Sequence, residues 1–261
     1  MSIRHHLNYK DGYYKINREE RNLAAIFYHT LLLGDNLKLF LDEIGCKFPI
    51  VEKEMGIYFE YAYIRDLWST NTPTNEIKRK LILDLLQPNN RQELEKLSVL
   101  DFNTYFGANR TLSTEYIASP GNWSIRYFHK TITDNVEFLK VCKFKWCFNA
   151  KPDIVIHTSH DTAVCIEAKF ESGEGKYPST DIEKEIFKNR GIELVGQLSI
   201  QKKTMEELLG IQTEYIFLVQ RKSINETHKA WTWKEAFAKL DTTNCPYFIK
   251  EWLKRSDINQ Q

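Results

Sequence analysis

Glycine and proline are scarce, 11 and 7 of 261 residues, and neither recurs with a period. Collagen-like sequence and long flexible linkers are thereby excluded. Cysteine is sparse too: Cys46, Cys142, Cys147, Cys165 and Cys245 are odd in number and scattered. Four residues separate Cys142 from Cys147, but no second Cys or Cys/His pair stands near them at zinc-site spacing. They read as reduced, mostly buried thiols. No apolar run approaches the roughly 20 residues that a membrane span needs. The opening Met-Ser-Ile-Arg-His-His lacks the apolar core of a signal peptide, so the expected location is the cytoplasm, with no membrane partner. An excess of charge is missing as well. The formal net charge is +1, which excludes a histone-like basic protein but leaves room for a basic surface balanced by acidic surface elsewhere. There is no internal repeat and no G-x-x-x-x-G-K-[ST] loop, so any ATP-driven motor would be a separate protein.

What is present supports a folded enzyme-sized chain, with 42% hydrophobic and 27% charged residues. Periodicity predicts a helix over about 18–33, with Leu23, Phe27 and Leu31 every four residues, Asn17 as N-cap and Gly34 as the stop. Residues 35–115 read as mostly helical, with Ile77, Leu81 and Leu85 as a stripe and a break at Gln-Pro-Asn-Asn, 87–90. From 136 to 148, Cys142, Phe144, Trp146 and Phe148 alternate with Lys143, Lys145 and Cys147, the period-2 signature of a strand. Further strands are expected at 152–158 and 163–170, joined by the turn residues Ser159-His160-Asp161-Thr162. A helix follows over 181–190, with Thr180 and Glu183 matching a capping box and Gly191 ending it. A longer helix over 193–209 carries Leu194, Leu198, Met205 and Leu209, and 215–220 reads as a buried strand. Two short helices close the chain, at 233–240 and from Pro246, the second burying Phe248, Ile249, Trp252 and Leu253. The expected fold class is α/β (α+β), a mixed central sheet flanked by helices. The organisation expected is one domain over 1–261, with a helical elaboration at about 35–115 and a core at about 136–220.

The chemistry concentrates in Pro152-Asp153-Ile154-Val155-Ile156, a turn, then Ile166-Glu167-Ala168-Lys169. Strand alternation sends Glu167 and Lys169 to one face and Ile166, Ala168 and Phe170 to the other. A tight hairpin would bring Asp153 beside them. Two carboxylates from adjacent strands can hold a hard divalent cation, with the Ala168 carbonyl as a further ligand. Hydrolysis of a phosphodiester needs such groups: magnesium to polarise the phosphoryl oxygen and activate water, and Lys169 to orient that water or neutralise the developing charge. Pro152 suits a strand entry because it cannot donate to the ladder.

These residues resemble the motif of the PD-(D/E)xK nuclease superfamily: Pro152-Asp153, thirteen intervening residues, then Glu167-Ala168-Lys169. The resemblance covers about 136–220 and extends to the helix at 18–33. It implies a restriction-endonuclease-like core, DNA as partner, and Mg2+ as cofactor with Mn2+ able to substitute. By the same resemblance Asp153 and Glu167 bind the metal and Lys169 is catalytic. Members of the superfamily often carry a Glu on a helix before the sheet, a place Glu20 fills on the stripe Ile16, Glu20, Leu23, Phe27, where it would complete the metal site. Some carry a Gln on the helix after the third strand, as Gly196-Gln197-Leu198 does here, which makes Gln197 a further catalytic candidate, with Gln201 one turn on. The exonuclease branch usually has a Tyr shortly after that Gln, where this chain has Lys202, Lys203 and Thr204.

Structural uses compete with several of these roles. Glu20 lies three residues after Asn17 and also suits a capping box. Gln197 also suits a solvated helix edge. Lys143, Lys145, Lys151 and Lys202 are candidate nucleic-acid contacts, with Lys140, Lys188, Arg190 and Lys203 as further cations; a solvated face is the more common use of such residues. Glu171 and Glu174 are candidates for a second metal or plain loop acids. His157 shares the strand face of Asp153 and is either close to the site or a hydrogen-bonded structural histidine. The function expected is a magnesium-dependent DNA endonuclease, in restriction or phage defence, for which a homodimer would supply two cutting sites. An exonuclease acting on DNA ends in repair or recombination and a catalytically silent nucleic-acid-binding protein remain as alternatives.

Overall fold

The computed structural model describes residues 2–8, 10–108, 113–170, 173–221 and 229–254. The chain divides into two compact units, one made of Met1–Tyr61, Pro152–Gly173 and Gln212–Gln261, the other of Ala62–Lys151 and Glu174–Ile211. The expected boundaries at 35–115 and 136–220 therefore do not coincide with those of the units. Among the described residues seven strands form: β1 (Gly56–Phe59), β2 (Ile154–His157), β3 (Thr162–Ala168), β4 (Lys176–Tyr177), β5 (Val195–Gly196), β6 (Gln212–Val219) and β7 (Ala230–Thr232). No helix among the described residues is long and apolar enough to cross a membrane.

The first unit is a mixed five-stranded sheet in the order β1-β2-β3-β6-β7, flanked by helices. β1 and β3 run antiparallel to β2, while β6 is parallel to both β3 and β7. The β2–β3 hairpin is the one the sequence predicts. Its turn is closed by Thr158 N–H donating to the Thr162 carbonyl at 3.0 Å and by a 2.7 Å hydroxyl contact between Ser159 and Thr162. Ile154, Ile156, Val164, Ile166, Ala168, Ile216 and Leu218 line one sheet face and form a single core with Leu23, Phe27, Phe40, Trp233, Phe237 and Trp252. Alternation thus commits one face of the central strands to the core.

The helix Glu20–Leu31 packs on that face through Leu23, Ala24, Phe27 and Leu31. Its start differs from the expected one. Asn17 is not the N-cap; its Oδ1 accepts from the Glu19 N–H at 3.0 Å in a turn of its own, and the helix begins after it. Gly34 follows the helix in the left-handed region at φ +54°. The helix Trp233–Ala238 is opened by a capping box between Thr232 and Glu235. In the last helix, Tyr247–Leu253, Ile249 and Trp252 are buried, but Phe248 faces solvent and leans on Tyr14.

The second unit is helical apart from the small antiparallel pair β4–β5. The expected strand at 136–148 is instead the helix Asn135–Cys147, so the first strand of the main sheet is β1, inside the region read as helical. The alternation is an overlay of two buried helical rows, Phe138–Cys142 and Phe144–Phe148, on a helix that is apolar nearly all round. The discriminating signal is Asp134, whose side chain caps the Glu137 N–H at 2.8 Å. The helix Asn75–Leu86 buries Ile82, Leu83 and Leu86 rather than the stripe Ile77, Leu81, Leu85, of which Ile77 and Leu85 are exposed. Its apolar arc is wider than one stripe, and packing selects the neighbouring row. The helix expected at 193–209 begins at Gln197, because 195–196 are held extended against β4; it continues as a π-helical turn, Lys203–Leu208. The core of this unit is aromatic, with Phe106 stacked on Trp123 at 3.9 Å.

Phe27 is the keystone of the first core, meeting Phe40, Phe237 and Trp233 edge to face at centroid distances of 5.2, 5.1 and 6.1 Å. Phe27→Ala is expected to cost about 3–5 kcal/mol in urea unfolding. A loss below about 1 kcal/mol would mean that the site collapses around the cavity.

Candidate active site

The β2–β3 ladder pairs Ile154 with Ile166 and Val155 with Cys165. Extending it one step sets Asp153 opposite Glu167, and opposed residues share a face. Val155 and Cys165 lie on that same face, away from the core side of the sheet. The Asp153 carboxylate is held by the Ala168 N–H, which donates to Oδ2 at 2.8 Å. Lys169 follows β3, and its Nζ reaches Glu167 Oε1 at 2.8 Å with both side chains largely buried. Its backbone is clamped on both sides: the Lys169 N–H donates to the Leu218 carbonyl at 2.7 Å, and Trp233 Nε1 donates to the Lys169 carbonyl at 3.0 Å. Glu20, the first residue of its helix, accepts from the Phe170 N–H at 3.0 Å through Oε1. It acts as a tether between helix and strand end, not as a capping-box partner of Asn17.

Among the described residues, three carboxylates, Glu167, Glu20 and Asp153, act on the Lys169 ammonium. Burial, then the charge of Glu167, pushes the Asp153 carboxyl up to about 7, with Glu20 adding to the effect and the Ala168 N–H and Lys169 opposing it. Burial by itself would lower the Lys169 ammonium, but Glu167, followed by Glu20 and Asp153, holds it above the ordinary lysine value. Lys169 therefore stays charged near neutrality. An excess of buried carboxylate oxygen suits a hard cation. Among the described residues no three His, Cys, Asp or Glu side chains form a ready-made metal cage. Magnesium asks for less, since it keeps several waters and binds through one or two carboxylates. Asp153 and Glu167, with the Ala168 carbonyl, fit that requirement.

The other expected contributors belong to other segments of the chain. Gln197 opens the helix Gln197–Lys202 in the second unit, where Gln201 is buried. Beside Gln197, Glu174 accepts from the Leu198 N–H at 2.9 Å, so this acid caps a helix; Glu171 lies outside the described residues. Lys143 and Lys145 do not alternate on a strand as expected. They sit half-buried on the helix Asn135–Cys147, and Lys145 Nζ donates to the Gly121 carbonyl at 3.3 Å. Lys140 pairs with Glu137 at 2.6 Å and Lys203 with Glu207. Arg190 donates to the Ile132 carbonyl at 2.8 Å and lies 4.1 Å over the Phe138 ring, a structural clamp. Lys151, Lys188 and Lys202 are exposed.

His157 is the hydrogen-bonded structural histidine, its Nε2 2.7 Å from Tyr61 Oη. Burial lowers its pKa, and the ring is held beside the tyrosine hydroxyl. Three arrangements escape a linear reading: Trp233 at the Lys169 carbonyl, the Arg21–Glu60 pair at 2.7 Å, and Tyr58 and Tyr61 around His157. Only the Thr232/Glu235 capping box hints at the first; the rest are set by strand register.

No protein-family model, no curated protein and no solved structure matches the chain. The site is therefore read from its own residues.

The raised Asp153 carboxyl carries a sign. Because the folded value, about 7, lies above the unfolded one, the group opposes folding above the unfolded pKa. That penalty is absent in acid, grows as pH rises past about 4, and is complete above the folded value. In chelator, Asp153→Asn, which retains an acceptor for the Ala168 N–H, should stabilise the fold by on the order of 2 kcal/mol at about pH 8. The gain should shrink toward about pH 5, read from thermal midpoints. A difference independent of pH would show that the carboxylate is not strained.

Proposed function

We propose that the chain is a magnesium-dependent DNA endonuclease of the PD-(D/E)xK kind. The observation that carries this reading is the meeting of Asp153, Glu167 and Lys169 on one face at the end of a buried hairpin, with more carboxylate than ammonium. A structural salt bridge needs one acid per base, and the second buried acid raises the cost of the arrangement unless it has a task.

Asp153 and Glu167, with the Ala168 carbonyl, would hold the cation. When bound, magnesium supplies Lewis-acid polarisation of the phosphoryl oxygen and a more acidic water. The chain's own residues do the rest. The Ala168 N–H fixes one oxygen of Asp153 and leaves the other for the ligand. Lys169, charged and clamped through its backbone by Leu218 and Trp233, orients the attacking water or neutralises charge on the phosphate as it becomes pentacovalent. Glu20 holds the end of β3 against the helix Glu20–Leu31, and its charge deepens the negative field at Asp153. A setting in restriction or phage defence, and a homodimer that places two such sites on one duplex, are compatible with this chemistry.

Supercoiled plasmid incubated with the protein and magnesium should be nicked or cut, with no products in chelator. Lys169→Ala should lower the rate by at least about 100-fold. Cleavage of linear DNA alone, with circular DNA spared, would move the reading to an exonuclease. Undiminished cleavage by an Asp153→Asn/Lys169→Ala double variant would sink the site assignment.

A further inference from the structure

We propose that Tyr58 is a stacking platform for an unpaired base of the DNA strand being cut, one or two nucleotides from the scissile phosphate. The inference rests on the nuclease reading of Asp153, Glu167 and Lys169, and adds how that site takes hold of its substrate. Tyr58 pairs with Val155 and Gly56 with His157 across the β1–β2 ladder. Its side chain therefore emerges on the face that carries Val155, Asp153 and Glu167, opposite the packed core. Two to four residues along β2 separate the ring's neighbours from Asp153, a distance of about 7–13 Å.

The ring is laid along the sheet instead of standing off it. A Cβ on Gly56 would lie 2.9 Å from Tyr58 Oη and 3.1 Å from a ring carbon, so the absent side chain at 56 is what lets the ring lie down. His157 meets the ring at 5.7 Å and 89°, and Tyr61 meets it at 5.7 Å and 53°. Those two neighbours are themselves fixed by the 2.7 Å contact between Tyr61 Oη and His157 Nε2. Tyr61 is buried, yet Tyr58 remains 50% exposed. An edge-strand tyrosine held by two aromatic neighbours with half of its surface open to water is preorganised to receive a flat apolar group. Beside a phosphodiester-cleaving site that group is a nucleobase, and stacking tolerates any base because every base has a π-face. A paired base keeps its faces in the duplex, so the platform selects single-stranded DNA, an end that frays or a nucleotide turned out of its helix.

The test is binding of a fluorescein-labelled single-stranded DNA of mixed sequence, by anisotropy, beside the same strand built of abasic sugars. Both are measured in the Lys169→Ala background with magnesium. Tyr58→Ala should weaken binding of the normal strand about tenfold, and Tyr58→Phe should leave it unchanged. On the abasic strand the two variants and their parent should bind alike. Equal binding of the normal strand by Tyr58→Ala and its parent overturns the proposal. So does equal weakening by Tyr58→Phe, which would assign the effect to the hydroxyl, or a defect that persists on the abasic strand, which would assign it to the fold. Plasmid cleavage by the wild-type protein is scored separately. A protein that binds through the Tyr58 ring but never cuts counts against hydrolysis, not against stacking.

Discussion

The register of β2 against β3 places two carboxylates across from each other at a buried strand end, and much of the first unit can be understood as what makes that placement tolerable. Asp153 and Glu167 repel, and burial magnifies the repulsion. A sheet would ordinarily relieve it by sliding or fraying. Sliding is blocked because a one-residue slip of either strand would turn its Ile154 and Ile156, or its Val164 and Ile166, away from the core they fill. Fraying is opposed by the Ala168 N–H on Asp153, the ammonium of Lys169 on Glu167, and the Leu218 and Trp233 contacts that clamp the Lys169 backbone.

The apolar half of the sheet and the charged half are thus two sides of one constraint. Helix Glu20–Leu31 shows the link directly. Leu23, Phe27 and Leu31 anchor it to the core, while Glu20 at its first turn ties down Phe170 just beyond the site. Arg21, its neighbour, pairs with Glu60, where β1 ends in a left-handed residue with φ of 51°. One helix thereby steadies the strand end that bears Lys169 and the edge strand that bears Tyr58. Such support keeps the Asp153, Glu167 and Lys169 group in a single geometry.

The hairpin at 152–170 was legible because its signals are local: Pro152 at the entry, turn residues at 159–162, and short apolar runs rich in Ile and Val on either side. The same kind of reading failed at 135–147. There a helix buried nearly all round has no polar face to betray its period, and alternate lysines imitate a strand. Lys143 and Lys145 moved with it, from the outer face of a sheet to the flank of a helix. β1 was missed because four residues, Gly56–Phe59, carry too little pattern to stand out from a helical region. Glu174 reads as a loop acid or a second-metal ligand and is a helix cap, a role that depends on the pairing of β4, just after it, with the distant β5.

The sequence by itself determined the class of fold and the chemical group at its centre. Alternation put Glu167 and Lys169 on one face, and a short turn left Asp153 nowhere to go but beside them. Only the tertiary structure decided which carboxylate carries the strain, what tethers the strand end, and which exposed ring lies beside the site. Trp233, Glu20, Tyr58 and His157 reach their places through contacts between segments far apart in the chain. Periodicity records which face a residue takes within its own element. The neighbour waiting on that face is chosen by strand order, register and packing, and these are settled only when the whole core closes.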